Sequence, residues 1–136
     1  MRVREALVSD PRVLAAGAPA REVAALLARP NVETALVVES ERLVGCVTRE
    51  SIVGVVARGE DVRHLTARDL AESEVPTIGP DVALDDAIRL MAEHGHERLA
   101  VTEDGRFLGV LPREPLVRRI MEDEPPAASD EPIRVG

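Results

Sequence analysis

Apolar residues along this chain switch between short unbroken runs and helical spacing, and the switch happens twice in the same order. Ala35–Val38 and Leu43–Val47 are apolar runs separated by the polar link Glu39-Ser40-Glu41-Arg42, which predicts two strands joined as a hairpin. Ahead of them, Ala20, Val23, Ala24 and Leu27 fall at i, i+3, i+4 and i+7, one face of a helix. Pro19 suits the first turn of that helix, where its missing N–H would be unpaired anyway, and Pro30-Asn31 ends it. Val13-Leu14 is a short extended candidate after the turn residues Ser9-Asp10-Pro11. Beyond the hairpin, the pattern predicts a helix from about Ser51 to Arg58 with Ile52, Val53, Val55 and Val56 as its apolar residues, stopped by Gly59.

The second pass is more legible. Thr77-Ile78 is the short extended piece, and Leu84, Ala87, Ile88 and Met91 form a helical face. Asp81 is the expected cap, with Asp85 and Asp86 favourable at the positive end of the helix dipole. Arg98–Val101 and Phe107–Leu111 flank Glu103-Asp104-Gly105-Arg106, where Asp-Gly is a strong turn signal. Pro115 can start a last helix through Met121. Each pass reads β-α-β-β-α. Sliding the chain by 64 positions pairs residues 4–60 with 68–124 without a gap and gives thirteen identities, among them Leu26/Leu90, Glu33/Glu97, Arg42/Arg106, Gly45/Gly109, Arg49/Arg113 and Glu50/Glu114. An ungapped repeat of that length means one supersecondary unit used twice, neither copy able to close a core alone. The predicted division is 1–60 and 61–121, with residues 59–70 as the connection and 122–136 as an acidic, Pro-rich tail expected to be disordered.

Composition narrows the function classes. Apolar residues make up 45% of the chain, but Phe107 is the only aromatic, so there is little surface on which to stack a base. The formal net charge is −8, of which the tail supplies −4, and the mildly acidic body argues against nucleic acid or an anionic membrane as partner. All 17 basic side chains are Arg. Cys46 is the single cysteine, so no internal disulfide can form, and its mid-strand setting predicts a buried small apolar residue rather than a nucleophile. No apolar stretch approaches the ~20 residues that cross a bilayer, and no charged-then-apolar leader opens the chain, so a soluble cytoplasmic protein is expected. His94-Gly95-His96 reads as a turn after a helix rather than a metal site. There is no nucleophile elbow, no phosphate loop and no Gly-rich dinucleotide phrase, which predicts a protein that is not an enzyme.

The residues Leu43-Val-Gly-Cys-Val-Thr48, Phe107-Leu-Gly-Val-Leu111, Pro80–Met91 and Arg98–Arg106, in register across both copies, resemble a tandem pair of cystathionine-β-synthase (CBS) domains over residues 3–121. The resemblance implies an α/β (α+β) fold: two pseudo-twofold-related β-α-β-β-α units packed through their sheets, commonly dimerising again into a disc. It also implies two clefts between the units, where family members often bind adenosine-containing ligands such as AMP, ADP, ATP or S-adenosylmethionine, and a regulatory role toward a protein partner.

The family's typical phrase at such a cleft is Gly-apolar-apolar-Thr/Ser-x-x-Asp, whose Asp takes the ribose. In the first copy Thr48 is present but Ser51 stands where the acid is expected; in the second, Pro112 and Pro115 replace hydroxyl and acid. Proline offers no side-chain polar group and no N–H. The family often places a basic residue just before the second strand, directed at phosphate; Arg98 matches it, and Thr34 occupies that place in the first copy. Candidate ligand residues are therefore Thr34, Thr48, Ser51 and Arg98, with Thr48 and Ser51 expected at one cleft and Arg98 at the other. Two readings follow: a non-catalytic sensor of an adenosine-type ligand, or a homodimeric interaction scaffold that has lost nucleotide binding. Bland roles compete at each position: Arg98 as a solvated strand end, Ser51 and Pro115 as helix-start residues, and Arg49/Glu50 as surface pairing of little energy.

Overall fold

The computed structural model describes residues 1–9 and 12–113. The first unit runs β1 (Val13–Ala15), α1 (Ala20–Leu27), β2 (Thr34–Glu39), β3 (Arg42–Thr48) and α2 (Arg49–Ala57). A 3-10 turn at Val62–His64 and the short α3 (Ala67–Leu70) lead to the second unit: β4 (Thr77–Ile78), α4 (Leu84–His94), β5 (Arg98–Glu103) and β6 (Arg106–Pro112). The helix expected at 115–121 and the tail lie outside the described residues.

Both hairpins close through two-residue turns with positive φ at both central positions: Ser40 and Glu41 at 52° and 68°, Asp104 and Gly105 at 53° and 84°. That is the turn whose twist matches paired strands. The first is built without glycine, so its sequence signal was only polarity. Each hairpin also shifts register at the same place, Val37/Val38 and Val101/Thr102. The strands form one sheet of order β1-β2-β3-β6-β5-β4, joined between units by the single pair Arg42/Arg106. Two arginines facing each other would repel. Each is answered from the opposite turn: Arg106 pairs with Glu41 at 2.6 Å, and Arg42 donates to the Asp104 carbonyl at 2.7 Å.

Strand alternation divides the hairpin side chains between two environments. Ala35, Val37 and Val47, and in the second unit Leu99, Val101 and Leu111, are buried within the two hydrophobic cores. The intervening residues Leu36, Cys46, Ala100 and Val110 line a space between the units. Helix α1 buries Ala20, Val23 and Leu27 as predicted, with Leu26 in place of Ala24, which is exposed. Pro19 stands just outside the helix in extended conformation, and the Ala20 N–H it leaves free donates to the Leu65 carbonyl at 3.1 Å.

The two cores are not confined to the two halves of the chain. Val3 and Ala6 pack with Ile78, Leu84, Ala87, Met91 and Leu111, whereas Ala67 and Leu70 pack with Leu14, Val23, Leu27 and Val47. The backbone repeats this exchange in register. Val3 N donates to Val82 O and Ala67 N to Ala18 O; Leu84 N donates to Met1 O and Ala20 N to Leu65 O. Each unit is thus finished by a helical turn from outside its own β-α-β-β run, the physical form of the predicted incompleteness of each copy.

Two further expectations are corrected. Asp81 does not cap α4, whose preceding residue Ala83 makes no side-chain cap. The Arg4 guanidinium takes the Asp81 carboxylate instead, at 3.0 Å, and holds it below the usual carboxylate range. Arg49 is not occupied in a surface pair: its Nε donates at 3.0 Å to the carbonyl of Leu27, a last-turn carbonyl of α1 that lacks a partner within its own helix.

Candidate functional site

Helix α2 starts two residues earlier than its apolar pattern predicts, because Thr48 and Ser51 form a reciprocal cap. Thr48 Oγ1 accepts from Ser51 N at 3.2 Å, and Ser51 Oγ accepts from Thr48 N at 3.1 Å. Thr34 lies opposite Thr48 in the β2–β3 register, and Arg98 lies opposite Pro112 in β5–β6. Equivalent corners of the two hairpins therefore carry the candidate residues.

A cleft of about 600 Å³ between the units collects three of the four: Thr34, Thr48 and Arg98. Thr48 and Arg98, expected at separate clefts, both line this one. Its lining is built from equivalent positions of the repeat, each pair 64 apart: Arg12/Pro76, Asn31/Gly95, Glu33/Glu97, Thr34/Arg98, Leu36/Ala100 and Cys46/Val110. A two-fold sheet arrangement turns the same strand faces toward one axis, so equivalent positions of both units line this cleft. The halves are chemically unlike, however. Arg12 comes from the first unit and Arg98 from the second, at non-equivalent positions, and Thr48 lines the cleft.

Ser51 is not among the lining residues. Its Oγ donates at 2.8 Å to Glu72 Oε2, and Glu72 is fixed to β3 by two backbone bonds, Cys46 N to Glu72 O at 2.9 Å and Glu72 N to Cys46 O at 2.8 Å. Gly45 permits this approach, because a Cβ there would run into the Glu72 carbonyl. Sequence reasoning missed Glu72, which lies between α3 and β4, outside any named strand or helix. It also missed Arg12, although the repeat offset pairs Arg12 with Pro76, another lining residue. Cys46 is half-buried in the cleft rather than in a core. Burial, and then the negative charge of Glu72, push its thiol pKa up, away from nucleophilic use.

His96 lines the cleft beyond Gly95, which closes α4 in the left-handed conformation at φ 72°. The His94 and His96 ring centroids stand 6.1 Å apart, and among the described residues no group of three His, Cys, Asp or Glu is placed to hold a metal. Among the described residues no helix is long and apolar enough to cross a membrane. Helix α2 turns Val55 inward, but leaves Val53 and Val56 exposed at 62% and 57%.

A family model for the CBS domain matches residues 3–58 and 67–122. The CBS domain-containing protein YhcV of Bacillus subtilis is 26% identical over 110 residues, covering 80% of this chain and 78% of that protein. An uncharacterised protein of Methanopyrus kandleri is 30% identical over 78 residues, 56% of this chain and 40% of that protein. The chain spans 40% and 62% of the lengths of two archaeal relatives, and 24% of an inosine-5'-monophosphate dehydrogenase of Bifidobacterium longum. Among solved structures, AcuB of Vibrio cholerae superposes with a TM-score of 0.73 at 15% identity, covering 92% of this chain and 98% of that one. CBSX2 in complex with AMP superposes with a TM-score of 0.69 at 21% identity, covering 89% and 96%. Both likenesses are of fold. With an internal repeat in register and a family model over both copies, the chain belongs to the CBS-domain family, as a tandem pair of CBS domains.

Proposed function

We propose that this chain is a non-catalytic regulatory module that binds an adenosine-containing small ligand in the cleft between its two CBS units and reports occupancy through shape or assembly. The observation that carries the reading is the convergence of Thr34, Thr48, Arg12 and Arg98 on one cleft with apolar walls from Leu36, Ala100 and Val110. Apolar walls with a few convergent polar groups are the usual makings of a small-molecule site. The AMP held by the structurally similar CBSX2 supports the ligand class.

The test is thermal unfolding against AMP, ADP, ATP, NAD and S-adenosylmethionine, followed by calorimetry. A ligand that binds only the folded state, at about a hundred times its dissociation constant, adds ~2.7 kcal/mol of stability. A selective rise with one compound supports the reading. No rise with any of them retires it.

A second reading is a ligand-silent homodimeric scaffold that engages a regulated protein partner. It is favoured by the exposed Val53 and Val56 on α2, and by Pro112 standing where a cleft hydroxyl would be. Sedimentation of the wild type and of Val53→Asp tests it: a dimer that the substitution dissociates, with no ligand response, would put this reading ahead.

A further inference from the structure

The fixed charges of the cleft cancel, and one residue decides the sign of the whole. Among the described residues of the lining, Arg12 and Arg98 are cations and Glu33 and Glu97 are anions. The Cys46 thiol stays protonated at neutral pH, because burial and Glu72 push its pKa up. His96 is the remaining titratable group of the lining, and imidazole is the side chain that ordinarily changes charge between pH 5 and 8. With His96 neutral, two cations balance two anions. With His96 protonated, the lining is positive.

The repeat shows that this imidazole is not a requirement of the fold. Sixty-four positions before His96 stands Val32, which is buried in the first core. The chain turns alike ahead of both, with Asn31 at φ 66° and Gly95 at φ 72°. The second copy thus places an ionisable ring on the cleft where the first copy has a core valine. The segment that carries the ring is held on both sides: His96 N donates to Met91 O at 2.9 Å, and Arg113 N donates to Glu97 O at 2.9 Å. The charged groups that share the cleft with His96 are Arg12 and Glu33 from the first unit and Glu97 and Arg98 beside it in the chain. The ring of His94, at the end of α4, stands 6.1 Å away but lies outside the lining.

We infer that protonation of His96 sets the charge of the cleft, so that the chain binds an anionic nucleotide more tightly in mild acid than above neutrality. This rests on the cleft being the ligand site, as proposed above. The attraction comes from the summed charge of the lining and acts on any anion held there, so an uncharged nucleoside should not feel it.

The experiment is titration calorimetry of the full chain with AMP and with adenosine, from about pH 8 to about pH 5.5, across the ordinary imidazole range. His96→Gln is compared with wild type at each pH, so that the phosphate's own titration, at about pH 6, affects both proteins alike. At the alkaline end the two should bind AMP equally. At the acid end His96→Gln should bind it roughly fivefold more weakly, the upper range for a partly exposed ion pair. Adenosine should bind both proteins equally at every pH, and His94→Gln should follow the wild type. Proton NMR of the ring C2–H signals of the three histidines in the wild type gives a readout that needs no variant: AMP should move the His96 titration to higher pH, and adenosine should leave it in place. A merely structural role would weaken AMP and adenosine alike at all pH values. That result, a pH-independent ratio between the two proteins, or a His96 titration unmoved by AMP would each overturn the inference while leaving the cleft reading intact, as would binding of S-adenosylmethionine with none of AMP, ADP, ATP or NAD. Absence of heat with all five compounds across the pH range would remove that reading, and this inference with it.

Discussion

Replacing Gly45 by alanine tests how closely the connection is seated on β3. The added Cβ would meet the Glu72 carbonyl and stand 3.2 Å from the Ala71 Cβ, backbone and a short side chain that cannot rotate away. The strand or the connection must shift, and the two bonds between Cys46 and Glu72, now 2.9 and 2.8 Å, are the first to lengthen. Two such bonds at about 1 kcal/mol each give a loss of ~2 kcal/mol, within the range of about 1–3 kcal/mol for overpacking a tight site. For a chain of this size that is a fall in Tm of roughly 6–10 °C. Gly54→Ala is the control of opposite sign. Gly54 lies inside α2, and its added Cβ would meet only Arg58 Nη1, at an ordinary 3.5 Å. Removing a helix-interior glycine there should stabilise by roughly 0.5–1 kcal/mol. Both can be followed by circular dichroism during thermal and urea unfolding, which needs no Trp or Tyr. A Gly45→Ala protein within about 0.5 kcal/mol of wild type, the scatter of ordinary surface substitutions, would refute the close seating. It would also weaken the placement of Glu72 beside Ser51.

Three further outcomes are expected. Val3 is fully buried in the second unit's core, so Val3→Ala should cost about 1–3 kcal/mol; an effect near zero by urea unfolding would mean that the N-terminal turn is not part of that core. Cys46 should react slowly with iodoacetamide at neutral pH and rapidly in denaturant, because burial and Glu72 raise its thiol pKa; equal rates in both states would contradict its half-buried setting. The Asp81 carboxylate, hydrogen-bonded to Arg4, has a folded pKa below its ordinary 3.8. Its contribution is therefore present above that value and lost as pH falls through the folded one. Asp81→Asn should lose part of the drop in urea midpoint as pH falls below about 4, the ordinary Asp range, and an acid profile identical to wild type would show the pair to be energetically silent.

Hydrophobic periodicity made most of the elements legible, because a strand with one buried face and a helix with an apolar stripe write period two and period 3.6 directly into the chain. The ungapped offset between Gly45 and Gly109 carried the duplication and the family resemblance, and both glycines stand where another segment's backbone crosses closely: Glu72 at the first, Leu7 and Val8 at the second. What periodicity cannot carry is which segments meet. Val3 and Ala67 sit in short turns with no repeating pattern, and their exchange between cores is fixed by packing alone. Helix α2 begins at Arg49 rather than near Ser51, because its apolar residues start only at Ile52 while its cap is Thr48. Asp81 was assigned to a helix it does not cap, since its partner Arg4 lies 77 residues away. The cleft followed the same rule. Thr34, Thr48 and Arg98 could be named one at a time from their strand positions, but their union in one space, and the arrival of Glu72 beside Ser51, depend on how the two halves of one sheet are brought together. Contacts of that kind are set by long-range packing, which a linear pattern of apolar and polar residues does not encode.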